Sequence, residues 1–223
     1  MKKRIKLADR ILPNYSRGEE VMNMVTHIVG GGLGVIALAL CIVKAWGSGW
    51  LDMTAVILYG ISMITLYTMS SVYHGLKPGM GKKVLQVIDH CTIYLLIAGT
   101  YTPIVLIAFR PVYPTIGWGL FVLEWILAAL ATTLTAIDLK KYRALSMVFY
   151  IGLGWAVLPF IPQTIQLMGM AGFGYLLAGG ISYTIGAVLF GIGSKVRWVH
   201  SVFHIFVVLG SLLQFLAIYL YVL

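Results

Sequence analysis

Trp198-Val-His200-Ser-Val-Phe-His204-Ile-Phe-Val-Val-Leu-Gly-Ser-Leu-Leu-Gln-Phe-Leu-Ala-Ile-Tyr-Leu-Tyr221 is a stretch of 24 residues without a single Asp, Glu, Lys or Arg. As a helix rising about 1.5 Å per residue it is roughly 36 Å long, enough to cross a hydrocarbon layer of about 30 Å. It reads as a membrane-spanning helix with two histidines near its start. Working back from it, charges and Pro/Gly clusters close six more apolar runs, at about 21–46, 53–74, 84–109, 115–136, 145–162 and 172–193. The composition agrees: 60% of the 223 residues are hydrophobic and 10% charged, with a mean hydropathy of +0.94, which excludes a water-soluble fold. The expected fold is an all-α integral membrane protein, a seven-transmembrane helix bundle. It has a basic tail over 1–20 and one domain over 21–223. Pro159 and Pro162 make the fifth run the least regular, because each removes a backbone donor.

Charge reports topology here. Of 16 Lys and Arg, 14 fall on one side of the seven-span arrangement: Lys2, Lys3, Arg4, Lys6, Arg10 and Arg17 in the tail, then Lys77, Lys82, Lys83, Lys140, Lys141, Arg143, Lys195 and Arg197. Only Lys44 and Arg110 fall on the other side. Basic loops stay in the cytoplasm, so the amino terminus is expected inside and the carboxyl terminus outside. The first apolar run is too long for a signal peptide and lacks a small-residue cleavage site. The net charge of +9 lies in short loops, which argues against a nucleic-acid partner. Cys41 and Cys91 sit at different depths and are not expected to pair. Gly30, Gly34, Gly152, Gly154, Gly179, Gly180 and Gly186 read as surfaces for close helix packing.

Ionisable groups within hydrocarbon are costly and face a bundle interior or a functional cavity. His74, Asp89, His200 and His204 come from three different spans and fall at one depth, near the cytoplasmic face. His200 and His204, at i and i+4, stack on one helix face. The pair alone is equally compatible with packing, but His74 supplies a third ligand, and three histidines leave zinc an open position for water. Asp89 is then the candidate general base, acting on a water made acidic by the metal. Ser70, one turn from His74, is placed to hydrogen-bond a ligand, the water or a developing oxyanion, although a backbone-bonded hydroxyl is the simpler reading. His90 points about 100° away from Asp89 and stays outside the metal shell. Glu124, in the middle of the fourth span, has no assigned partner. Glu20, Asn23 and His27 form a stripe at the start of the first span; a helix dipole accounts for Glu20 but not for His27.

The combination Glu20-xx-Asn23-xxx-His27, Ser70-xxx-His74, Asp89, Gly179-Gly-Ile-Ser-Tyr-Thr-Ile-Gly186 and His200-xxx-His204 resembles the hemolysin III proteins. These are the bacterial branch of the progestin and adipoQ receptor family, grouped with alkaline ceramidase-like membrane hydrolases. The resemblance covers nearly the whole chain. It implies a multi-pass protein of the bacterial plasma membrane holding Zn2+ on His74, His200 and His204, with Asp89 near the metal through water and Ser70 beside it.

Three functions follow as expectations. The first is a zinc-dependent hydrolase of lipid amide or ester bonds, with membrane lipid as substrate. The second is a non-enzymatic sensor or regulator of membrane homeostasis, with lipid as regulator and zinc as a structural clamp. The third is a cytolysin, as the family name suggests, although no amphipathic segment suited to insertion from solution is evident. No protein partner is indicated.

Overall fold

The computed structural model describes residues 6–193 and 196–223. Lys2, Lys3, Arg4 and Lys195, counted above toward the cytoplasmic side, lie outside the described residues. The chain is all-helical, with no strand among the described residues. Helix α1 (Arg17–Lys44) opens on a reciprocal cap: Ser16 Oγ accepts from the Glu19 amide, and the Glu19 carboxylate accepts from the Ser16 amide at 2.8 Å. Helix α2 (Trp50–Gly75) and helix α3 (Met80–Pro103) follow. Pro103 and Pro111 each remove a backbone donor, and between them the helix widens into a π-helical segment, Ile104–Phe109, before ending at Val112. Helix α4 (Pro114–Ile137) starts with a proline in its first turn, where no donor is needed.

The next part departs from a regular span. Helix α5 (Arg143–Gly154) stops short, a 3-10 turn at Leu158–Phe160 contains Pro159, and helix α6 (Ile161–Gly193) is broken at Gly169, whose φ of 69° only glycine adopts readily. Helix α7 (Val199–Tyr221) closes the bundle. By length and apolar composition, six stretches of the described residues can cross a membrane: Arg17–Lys44, Trp50–Gly75, Met80–Val112, Pro114–Ile137, Arg143–Gly193 and Val199–Tyr221. The count is one below that read from the sequence because the fifth and sixth runs share one 51-residue stretch. That stretch is not straight. Trp155 Nε1 donates to Thr184 Oγ1 at 3.0 Å, a contact that 29 residues of continuous helix would separate by roughly 43 Å.

Packing is densest between α1 and α2, α2 and α3, and α6 and α7, with α7 also against α1. Tyr67 of α2 is fully buried and donates to Ser211 Oγ of α7 at 2.7 Å; Tyr183 of α6 meets the same hydroxyl at 2.7 Å. Three helices are thus tied through one serine. Gly30 of α1 makes this possible, since a Cβ there would lie 2.6 Å from the Tyr67 ring. Gly34, Gly179, Gly180 and Gly186 also face neighbours, whereas Gly152 and Gly154 face open space, so close packing does not explain those two. Val35, Ile36, Val43, Ile126 and Val188 are exposed on the outer surface, as expected of side chains that meet lipid. Both cysteines are free.

The two ends of the bundle differ. At one, Arg110 pairs with Asp52 at 3.4 Å, and Lys44 donates to the Tyr219 carbonyl with its ammonium 4.6 Å from that ring. At the other lie the histidines. Glu124 is fully buried with neither carboxylate oxygen hydrogen-bonded among the described residues.

Gly30→Val is expected to lower thermal stability in detergent by an overpacking cost of roughly 1–3 kcal/mol. Gly32→Val, at a position open to its surroundings, should leave the melting temperature unchanged; equal effects would show that the Tyr67 contact does not set α1–α2 packing.

Candidate metal centre

His200 and His204 occupy the first turns of α7, and their placement depends on how that helix begins. Trp198 sits at its N-cap in a left-handed conformation, φ 66°. Its amide donates to Glu19 Oε1 at 2.7 Å, while Glu19 Oε2 accepts from Ser16. One buried carboxylate therefore caps α1 and α7 together, at helix ends whose dipoles favour negative charge. Gly193 completes the junction: a Cβ there would lie 3.0 Å from the His200 amide nitrogen, so any larger residue would push the start of α7 away from α6.

The i, i+4 spacing brings His200 Nε2 within 3.2 Å of His204 Nε2. Two nitrogens bound to one tetrahedral zinc at about 2.05 Å would be about 3.3 Å apart. His74, at the end of α2, completes a group of three buried histidines whose ligand atoms lie within 4.8 Å of one another. His74 Nδ1 is held by Glu20 Oε2 at 2.7 Å, with Asn23 Nδ2 at 3.4 Å. Its Nε2 is buried without a hydrogen-bond partner among the described residues, as is His204 Nδ1. A ring held through one nitrogen by a carboxylate, with the other nitrogen free, is the usual arrangement of a metal-ligating histidine. The three residues could form a metal site, and the all-nitrogen donor set suits a borderline-soft transition metal.

The stripe on α1 belongs to this centre. Glu20 and Asn23 meet His74, and the His27 ring stacks on His204 with centroids 3.8 Å apart. The dipole reading of Glu20 is thus too narrow: its other oxygen, Oε1, accepts from Lys82 Nζ at 2.6 Å. Lys82, taken from the sequence as a loop charge, is 3% exposed and also donates to the Leu76 carbonyl at 2.9 Å. It lies in the first turn of α3 but folds back toward α2, where the half-buried Glu20 carboxylate offers it a counter-charge. Tyr15, ahead of α1, stacks on His200 at 4.8 Å; burial, with Glu20 nearby, holds its hydroxyl well above the usual tyrosine range. The Glu20-Asn23-His27 spacing was the visible signal for this layer. Lys82, Tyr15 and Glu19 carried none.

Asp89 and Ser70 stand beside the histidines, and no hydrogen bond joins either to them among the described residues. The Asp89 carboxylate contacts its neighbour His90, Oδ2 to Nδ1 3.9 Å, and His90 Nδ1 also reaches the Gln86 carbonyl at 2.7 Å. What unites them is a cleft. Ser70, Asp89, His27, His200 and His204 line one end of it, and its walls continue along α3 to Ile104 and along α6 to Phe173. From Asp89 to Ile104 is roughly 22 Å of helix. Most of the wall is apolar: Leu66, Ile93, Ile97, Leu176, Leu177 and Phe203.

These features define a class: a polytopic, all-helical membrane protein with buried histidines at one end of the bundle and an apolar cleft leading from them. The profile of the Haemolysin-III related family matches residues 15–215, and the chain belongs to that family. Hemolysin-3 of Bacillus cereus is 35% identical over 206 residues, 92% of each chain. The Hemolysin-3 homolog of Bacillus subtilis (strain 168) is 35% identical over 205 residues, 91% of this chain and 94% of its own. A more distant relative, the human monocyte to macrophage differentiation factor of the progestin and adipoQ receptor family, is 27% identical over 180 residues, 77% of this chain and 71% of its own. The chain is a multi-pass protein of the bacterial cell membrane.

Loss of the Glu20 contact should loosen the centre without removing a ligand. Glu20→Gln is expected to weaken metal retention about 10- to 100-fold in a chelator competition on purified protein. Retention unchanged from wild type would show that the carboxylate does not orient His74.

Proposed function

We propose that this protein is a zinc-dependent hydrolase of lipid amide or ester bonds, with its centre near the cytoplasmic face. The observation that carries the reading is a group of three buried histidines, two of which, His200 and His204, line one end of a long apolar cleft. In the proposed topology seven crossings run from a cytoplasmic amino terminus to an external carboxyl terminus. The chain reversal within the 51-residue stretch supports the seventh crossing. The basic loops support the orientation.

His74, His200 and His204 would hold the ion, and when bound it supplies a Lewis acid that polarises a carbonyl and lowers the pKa of water. The remaining work falls to the chain. The apolar walls take an acyl chain and exclude water from all but its polar end. Asp89, at the mouth of the cleft, accepts the proton of the attacking water and returns it to the leaving amine or alcohol. Ser70 donates a hydrogen bond to the carbonyl oxygen as negative charge develops there. Glu20 keeps His74 in one tautomer.

A regulatory reading has one observation in its favour. Glu20 links α1, α2 and α3 through His74 and Lys82, so a metal at His74 would also clamp the bundle. A cytolytic role rests on the name of the Bacillus cereus relative.

Purified protein incubated with a panel of ceramides and glycerolipids is expected to release fatty acid, and Asp89→Asn should reduce the rate about 10²- to 10⁴-fold with metal content unchanged. Metal-replete protein that releases nothing, with Asp89→Asn sparing the cellular phenotype, would favour the regulatory reading instead.

A further inference from the structure

A second cavity adjoins the cleft at His200. Asp89, His90, Tyr150, Phe190 and His200 line both, so the two share a wall at the candidate centre. Charged side chains gather at the second cavity, whereas the lining of the first is mostly apolar residues. Arg10, Lys140 and Arg143 bring three cations to it, against Asp9 and Asp89. Arg10 comes from the arm ahead of α1, and Lys140 and Arg143 from the connection between α4 and α5.

Arg10 is the informative residue. Its Nε and Nη1 are buried, and neither has a hydrogen-bond partner among the described residues. A guanidinium cannot shed its proton, and leaving its donors buried and unpaired is costly. Glu19 and Glu20, at this end, are engaged elsewhere: Glu19 with Ser16 and Trp198, Glu20 with His74 and Lys82. An arginine fork flanked by two further cations suits an oxyanion.

The geometry points to a headgroup site: the second cavity binds the phosphate of an anionic membrane lipid whose acyl chain lies in the apolar cleft, bringing the linkage between them to the histidines. The placement of the chain rests on the hydrolase reading; the anion site rests on Arg10 and its neighbours. Lys140 and Arg143 are exposed and positioned to admit a headgroup from the cytoplasmic leaflet, while Arg10 receives it within. Asp89 stands at the shared wall, between phosphate and chain, where the scissile bond would lie.

Binding tests this without turnover. Full-length protein in neutral detergent is titrated with dioleoylphosphatidylglycerol, with dioleoylglycerol, which has the same chains and no phosphate, and with inorganic phosphate. The phospholipid is expected to bind at least about tenfold tighter than dioleoylglycerol, as expected from charge-assisted hydrogen bonds. Arg10→Gln combined with Arg143→Gln should abolish that preference and leave dioleoylglycerol binding unchanged, and Arg10→Lys should restore part of it. Should the double variant lose both lipids, Lys140→Gln decides: its preference must fall. Equal affinity for the two lipids in the wild type, or an unchanged preference in Lys140→Gln after such a loss, overturns the site. Inorganic phosphate binding as tightly as the phospholipid overturns the lipid assignment in favour of a free oxyanion. A headgroup preference without hydrolysis of any lipid would contradict the enzyme reading and leave the anion site standing.

Discussion

The carboxylate of Glu20 lies between His74 and Lys82, 2.7 Å from one and 2.6 Å from the other, and the histidine-bearing end of the bundle is organised around it. Three helices contribute one group each, so none of the three can shift without exposing a charge to a medium that does not solvate it. The contact also decides which nitrogen of His74 remains available. With Nδ1 engaged, Nε2 is left for a ligand. Orientation of the centre and register of α1 against α2 and α3 are thus one constraint.

The second half of the centre is set by a comparable device. Glu19, adjacent to Glu20 but on a different face of α1, ties the amide of Trp198 to the start of that helix. Two consecutive acids of one helix thereby position histidines on two others. The left-handed turn at Trp198 and the close approach at Gly193 fix where α7 begins, and the helical repeat then places His204 above His200.

The membrane class and most of the helices were legible in the sequence, because a span must be long and apolar whatever its neighbours do. The convergence of His74, His200 and His204 was legible for the same reason: depth follows from distance along a helix. What could not be read was anything decided between helices. Lys82 looks like a loop cation, and only the packed structure turns it inward toward Glu20. Gly169 falls in the connection read between the fifth and sixth runs, so a reversal there was legible, but the helical turns that continue on both sides of it were not. Arg10 belongs to a basic tail whose charge explains its presence without implying any contact. Gly152 and Gly154 invite a packing role that their surroundings do not supply.

The centre sits where two environments meet, an apolar cleft running into the bundle and a cavity lined in part by Arg10, Lys140 and Arg143, with Asp89 and His200 on the shared wall. That position suits an amphiphile better than a water-soluble ligand, and the account depends on a metal being held there. The most direct test is the metal content of purified wild-type protein and of the His74→Ala, His200→Ala and His204→Ala variants, each checked for a folded melting transition. About one zinc per chain is predicted for the wild type, as expected of a three-histidine site, with loss in every variant. Metal content unchanged in all three would contradict the centre described here.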